Sequence, residues 1–229
     1  MKIKRFVFNP FQENTFVLYD ESKECVIIDP GCYEKAEEEE LENFISENGL
    51  KPVALLNTHC HIDHILGNQF VAEKWGVELQ MHKDDLPLLE NAGQVSKMYG
   101  LQNYSGSPFP KHFLKEGDKF TFGESKLDVI FTPGHAPGHI CLYEENRKVL
   151  FSGDHILPTI TPNISLHMQS VQSANNPLMD YISSLEIVEK LDVEHVLPAH
   201  EFDIRELKRR IIEIRDHHYE RLDEMLKCV

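Results

Sequence analysis

Residues Thr58-His59-Cys60-His61-Ile62-Asp63-His64 crowd three imidazoles and a carboxylate into consecutive positions with the spacing His-x-His-x-Asp-His. With 13 histidines in 229 residues, chance would place this pattern somewhere in a chain of this length with a probability of roughly two in a thousand. It reads as a metal site. The apolar run Pro52 to Leu56 before it reads as a buried strand. Side chains at i and i+2 of an extended segment point the same way, so His59 and His61 can reach one cation from the strand's end, with Asp63 and His64 facing elsewhere. An amphipathic stretch from Ile65 to Trp75 follows as a helix, which puts the ligands on a strand-to-helix loop.

Three more segments share the same syntax of short strand, tight Pro or Gly turn and ligand. They are Thr132-Pro133-Gly134-His135-Ala136-Pro137-Gly138-His139 after the alternating strand Leu127 to Phe131, Ser152-Gly153-Asp154 after Val149 to Phe151, and Pro198-Ala199-His200 after His195 to Leu197. In this order the residues resemble the metallo-β-lactamase-fold superfamily, whose signature is His-x-His-x-Asp-His followed by a His, a bridging Asp and a last His. The resemblance implies that His59, His61 and His135 bind one metal, that Asp63, His64 and His200 bind another, and that Asp154 bridges the two. It also implies an α/β fold, a four-layer αββα sandwich of two mixed sheets with the metals at one edge between them and a C-terminal helical extension. The opening Asn9-Pro10-Phe11-Gln12-Glu13-Asn14-Thr15 and Ile28-Asp29-Pro30-Gly31 look like the start of the short glyoxalase II-like (hydroxyacylglutathione hydrolase-like) members.

The chemistry follows from the donors themselves. Imidazole nitrogen and carboxylate oxygen without thiolate suit two Zn²⁺, with iron or manganese as second choices. Two divalent ions about 3.5–4 Å apart can share a water and lower its pKa towards roughly 7, so that hydroxide is available at neutral pH. That hydroxide attacks a carbonyl or phosphoryl centre, with Asp63 as the residue that orients the attacking water. No Gly-x-Ser-x-Gly nucleophile elbow occurs. His139 reads as a histidine that supports a ligand or packs in its strand, and His155 as one that points away from Asp154. His82, His112, His167 and His195 read as surface or core histidines, and His217 and His218 lie on the final helix facing either solvent or the cleft. Cys60 reads as a small packing residue.

A chain of 229 residues, 41% hydrophobic and 27% charged, is expected to form a single domain over 1–229, with 178–229 a mainly helical part that carries the last ligand loop. Met1 to Asn14 has no apolar core of signal-peptide length, and no stretch approaches the roughly 18 residues that span a bilayer. Five scattered cysteines suit a reducing compartment, so the expectation is a cytoplasmic protein without a membrane partner. A formal net charge of -15 sets an unfavourable field for a polyanion, which favours a small-molecule substrate over nucleic acid. The acidic run Glu37 to Glu40, on a helix from Glu34 to Asn48 with an apolar stripe of Leu41, Phe44 and Ile45, reads as a solvated face. Arg205, Lys208, Arg209, Arg210, Arg215 and Arg221 on the last helix read as i to i+4 ion-pairing residues.

Strands are predicted near Lys4 to Phe8, Thr15 to Tyr19, Cys25 to Ile28, Val77 to Met81 and repeatedly from Lys119 to Ser152, with a helix starting over Asp84 to Asn91. Met98 to Lys115 reads as a loop or lid beside the metals, with Met98, Tyr99, Tyr104 and Phe109 as candidate substrate contacts. After Asp154 the segment His155 to Ile164 departs from the glyoxalase II pattern. With His217-His218 and Arg221 it looks more like an endoribonuclease-like branch of the superfamily that carries a helical C-terminal cap. The linker Ile156 to Pro177 and the helices Leu178 to Leu191 and Asp203 to Lys227 are therefore the expected specificity region. The leading function is a dinuclear hydrolase of a thioester or other activated acyl substrate, and a phosphodiesterase or endoribonuclease and a lactonase are the alternatives. A β-lactamase usually carries Cys or a non-ligand where Asp154 stands, and a flavin-partnered di-iron protein a carboxylate where His61 stands. An iron-dependent persulfide dioxygenase would leave the second ligand set unused, and a non-catalytic binding protein would not need a complete one.

Overall fold

The computed structural model describes residues 1–164 and 176–227; His167, Cys228 and residues 165–175 of the Ile156 to Pro177 linker lie outside them. The first sheet runs β1 (Lys2–Phe8), β2 (Glu13–Tyr19), β3 (Glu24–Ile28), β4 (Lys51–Leu56), β5 (Leu79–His82) and β6 (His112–Leu114) in spatial order. Its first three strands are antiparallel and the rest parallel. In the second sheet the order is β11 (His195–Pro198), β10 (Val149–Gly153), β9 (Ile140–Glu144), β8 (Ser125–Phe131) and β7 (Lys119–Phe122), with only β10 and β11 parallel. Helices α1 (Lys35–Glu47), α2 (Asn68–Trp75) and α3 (Leu86–Met98) belong to the first half, and α4 (Pro177–Glu189) and α5 (Leu207–Lys227) to the second.

The layering follows from the two-residue period of the strands. Along β3, Val26 and Ile28 enter the core between the sheets with Phe16, Leu18, Leu56, Leu142 and Phe151. Cys25 and Ile27 face the opposite way, into the core that α1, α2 and α3 cover with Leu41, Ile45, Val71 and Leu89. In β10 the same split sends Val149 and Phe151 inward and Leu150 outward against Tyr181, Leu185, Val188, Ile211 and Ile214 of α4 and α5. The result is the four-layer αββα order. No helix among the described residues is long and apolar enough to cross a membrane.

Three expectations need adjustment. Met98 to Lys115 is not a single loop: α3 runs on to Met98, and His112–Leu114 adds an edge strand parallel to β5. Two of its three residues are exposed, so no apolar alternation announces it and only the pairing holds it. Glu37 is not a solvated residue, because its carboxylate accepts the backbone N–H groups of Asn9, Tyr33 and Glu34 at 2.6, 2.8 and 3.0 Å. It caps α1 and ties the opening segment to it. The helix expected from Ile65 begins at Asn68, after a separate turn of 3-10 helix over Ile62–His64. Pro52, which has no N–H for the ladder, is accommodated by a register shift, with Cys25 opposite Pro52 and Val26 opposite Ala54.

A buried carboxylate clasps the two sheets. Asp20, just past β2, accepts from Ser22 N at 2.9 Å and, across the sandwich, from Glu124 N and Ser125 Oγ in the β7–β8 turn, both at 2.8 Å. Burial opposes its charge, but the Ser22 and Ser125 hydroxyls and the two backbone donors outweigh this and lower its pKa from an ordinary 3.8 to about 2. A depressed carboxylate contributes stability above its unfolded value and loses it as pH falls through the folded one. The Asp20 contribution is therefore complete at neutral pH and lost between about pH 4 and pH 2. Asp20→Asn is expected to lower the urea midpoint at pH 7, with the gap to the parent protein closing as pH falls through that window.

Candidate metal centre

Four strand-end loops meet at one edge of the sandwich, and each of the seven residues expected to bind metal comes from one of them. His59, His61, Asp63 and His64 follow β4, His135 lies between β8 and β9, Asp154 follows β10, and His200 follows β11. One donor atom each from His59, His61, His135 and Asp154 lies within 4.8 Å of the others, and Asp63, His64 and His200 form a second such group. The carboxylate of Asp154 stands between them. Its Oδ2 is 3.3 Å from His135 Nε2 and 4.0 Å from His59 Nε2, whereas its Oδ1 is 3.5 Å from His200 Nε2 and 3.7 Å from His64 Nε2. Asp63 Oδ2 lies 3.2 Å from His200 Nε2 and 3.5 Å from His64 Nε2.

Charge is divided unequally across the centre. Burial, reinforced by neighbouring imidazoles, drives His59 well below its ordinary range and His61 down to about 3, so these two rings offer neutral lone pairs, the form a metal needs. Around the second group burial also opposes charge, but Asp63 and Asp154 outweigh it and raise His64 well above its ordinary range, and His200 rises against Asp63. In return, and again against burial, His64 and His135 hold Asp154 well down, and His64 and His200 lower Asp63. The carboxylates thus demand positive charge at that side of the site. His64 Nε2 and Asp154 Oδ1 are buried with no hydrogen bond among the described residues, an arrangement that divalent cations would satisfy. Cys60 contributes no thiolate: its Sγ lies 3.4 Å from Met81 Sδ, and burial pushes the thiol far up.

A tier of buried polar groups fixes the rings. Asp29 accepts Thr58 N at 2.7 Å and Thr58 Oγ at 2.6 Å, and its Oδ2 is 3.3 Å from His64 Nδ1. Thr58 Oγ is in turn 3.2 Å from His59 Nδ1. Asp29 thereby orients one imidazole of each group. It adopts φ +47°, a left-handed conformation that Asp tolerates better than most residues. His135 Nδ1 lies 2.8 Å from the carbonyl of Asn163, to which it donates. His139 is not in either donor group; its Nε2 accepts the Asp154 amide at 3.2 Å and its Nδ1 meets Thr132 Oγ at 2.8 Å, so it supports the loop of the shared carboxylate. Gly153, at φ +50°, has no room for a side chain, since a Cβ would fall 2.6 Å from both His139 Nε2 and Thr58 Oγ.

The remaining histidines lie elsewhere. His155 is buried with its ring 5.0 Å from Tyr181, and His218 packs on the other side of Tyr181 at 5.4 Å, while His217 is exposed. His82 stacks on Phe131 at 4.2 Å, and His112 and His195 lie near Glu78 and Arg205. Of the expected lid contacts, Tyr104 packs on the first-sheet core, Tyr99 meets Phe11 at 5.4 Å, and Met98 and Phe109 are exposed. Asn9 and Asn14 of the opening segment, and Asn57, not singled out from sequence, also position the loops. Asn9 Nδ2 donates to the Asp63 carbonyl at 3.0 Å, Asn57 Nδ2 to the His64 carbonyl at 3.2 Å, and Asn14 Nδ2 to the carbonyls of Pro198 and Glu201 at 2.9 and 3.1 Å. The sequence signal at Asn57 is an amide directly after the apolar strand β4.

A family model described as the metallo-beta-lactamase superfamily matches residues 8–200. The chain belongs to that superfamily. It is 34% identical over 155 residues to the probable metallo-hydrolase YqgX of Bacillus subtilis (strain 168), which covers 67% of this chain and 71% of that protein. It is 32% identical over 155 residues, with the same coverages, to hydroxyacylglutathione hydrolase GloC of Haemophilus influenzae. The crystal structure of TTHA1623 in a di-iron-bound form has a TM-score of 0.76 to this chain at 29% identity, covering 91% of this chain and 98% of that one.

Asp29 touches groups that serve both halves of the centre, so Asp29→Ala is expected to weaken zinc binding about 10–100-fold. Competition against a chromophoric chelator measures it.

Proposed function

We propose that this protein is a dinuclear metal-dependent hydrolase of thioesters or similarly activated acyl compounds. His59, His61 and His135 would hold one ion and Asp63, His64 and His200 the other, with Asp154 shared. The single observation that carries the reading is the placement of the two Asp154 oxygens, one facing each donor group. A pair of divalent ions there would supply hydroxide at neutral pH and a Lewis acid for the electrophile's oxygen. The protein's own share is to hold seven donors rigidly, to orient the attacking water through Asp63, to keep rings fixed through Asp29, Thr58 and the Asn163 carbonyl, and to support the Asp154 loop through His139.

Zinc suits a set of imidazoles and carboxylates without thiolate, and iron and manganese fit the same donors. The thioester reading draws on the likeness to GloC, a hydroxyacylglutathione hydrolase by name. A net charge of -15 favours a small substrate over nucleic acid. A cytoplasmic location and action of the whole chain as one domain complete the proposal.

The test combines metal analysis by mass spectrometry with a panel of a hydroxyacyl thioester, a lactone, a phosphodiester and a β-lactam. The expected result is two metal equivalents per chain and fastest turnover of the thioester. Loss of an outer partner typically costs about 10–100-fold, so His59→Ala and Asp154→Ala, which remove ligands, are expected to cost more in kcat/KM. A phosphodiester or lactone turned over faster than the thioester would overturn the substrate class, and one equivalent of metal would overturn the dinuclear centre.

A further inference from the structure

Asp85 stands outside both donor groups, yet it is fully buried and joins the loops that carry the first one. It lies just before α3, and its two carboxylate oxygens accept from two different loops. Oδ2 takes Cys60 N at 2.8 Å and Oδ1 takes Gly138 N. Cys60 sits between His59 and His61, so a bond to its N–H fixes the backbone from which both rings project. Gly138 closes the turn that begins at His135. The first loop ends a strand of the first sheet and the second joins β8 to β9 of the second, so the Asp85 carboxylate sets the distance between imidazoles that come from opposite sheets.

The fit leaves little slack. A Cβ on Gly138 would fall 2.6 Å from Asp85 N and 2.9 Å from its Oδ1, so the glycine is what lets the second loop come this close. Both amides are in buried residues, where an unmade bond is costly. Burial pushes Asp85 up to about 6, with the Gly138 and Cys60 bonds opposing; at neutral pH it is an anion and both oxygens accept. The loops of the second donor group are tied down by other residues: Asn9 on Asp63, Asn57 and Asp29 on His64, and Asn14 on the carbonyls flanking Ala199-His200.

We propose that Asp85 is a positioning residue for one metal site of the pair: by spacing the His59-His61 loop from the His135 loop, it governs capture of the ion held by those three histidines and leaves the Asp63-His64-His200 site alone. This rests on the reading of the two donor groups as metal sites. Asn at position 85 keeps the shape but presents an NH₂ to one of the two N–H groups, so one loop is released.

The test measures Zn²⁺ affinity by chelator competition in two backgrounds. His200→Ala weakens the second site and leaves the first to be read, and His61→Ala does the reverse. Asp85→Asn is expected to lower affinity about 10–100-fold in the His200→Ala background and to leave it unchanged in the His61→Ala background. A general loss of stability would move both. Gly138→Ala keeps the carboxylate and only forces the loops apart; it is expected to reproduce the same split and keeps the test intact if Asp85→Asn does not fold. Equal losses in both backgrounds, or none in either, overturn the proposal. The parent protein, measured alongside, binds two equivalents if the dinuclear reading holds, and failure there is a separate result.

Discussion

Asp154 turns one oxygen toward His59 and His135 and the other toward His64 and His200, and most of what surrounds it follows from the cost of keeping that arrangement out of water. A buried carboxylate among imidazoles is tolerable only where every lone pair has a partner and no ring can turn away. Rings are therefore anchored through their far nitrogens where those can be traced: His59 by Thr58, His64 by Asp29, and His135 by the Asn163 carbonyl. The anchors are short side chains and backbone groups with few rotamers, so holding them costs little conformational entropy.

The sandwich supplies what no single loop could. β4, β10 and β11 end at the same edge, and the β8–β9 loop closes over it, so four stretches of backbone from two sheets deliver their side chains to one point. Directional bonds span the gap between the sheets: Asp20 bonds across to the β7–β8 turn, Asp85 to the β8–β9 loop, Asn14 to the Pro198 carbonyl, and the Ile140 N–H to the Thr58 carbonyl at 2.8 Å. Apolar packing between the sheets is non-directional. It brings Phe16 against Phe151 with ring centroids 5.3 Å apart, but it does not by itself fix the separation of His61 and His135. The bonds that Asp85 accepts from Cys60 N and Gly138 N, with that of Ile140 N to the Thr58 carbonyl, constrain it directionally.

The convergence of the seven candidate residues on one edge was legible in the sequence because a run such as His59 to His64 restricts both residue type and spacing. The layers were legible where strands alternate, as along β8. What escaped was structure held by a single partner. β6 exists because β5 offers it an edge, and its letters His-Phe-Leu carry no pattern of their own. Glu37 reads as one acid in a run of four, and only its bonds to Glu34 N and Asn9 N show that it caps α1 and ties the opening segment to it. Asp85 follows Asp84 and precedes a helix, an ordinary place for a solvated acid, and nothing local reveals that two amides 25 and 53 positions away close on it.

The segment after Asp154, where the sequence departs from the glyoxalase II pattern, is anchored to the candidate metal centre. Arg210 on α5, its side chain largely buried, donates to the carbonyls of Leu157 and Ile160 at 2.7 and 2.8 Å, and Glu201, next to His200, accepts from Thr159 N at 3.1 Å. The same segment then presents the Asn163 carbonyl to His135. Residues in the expected specificity region are thus bonded to a neighbour of one ligand and to the ring of another. Arg210 belongs to the cluster expected only to pair along its helix; it does meet Glu213 at 3.1 Å, but its other donors are committed to backbone. A change in this segment that shifted the Asn163 carbonyl would therefore also release the His135 ring, so the segment and the candidate metal centre are mechanically linked.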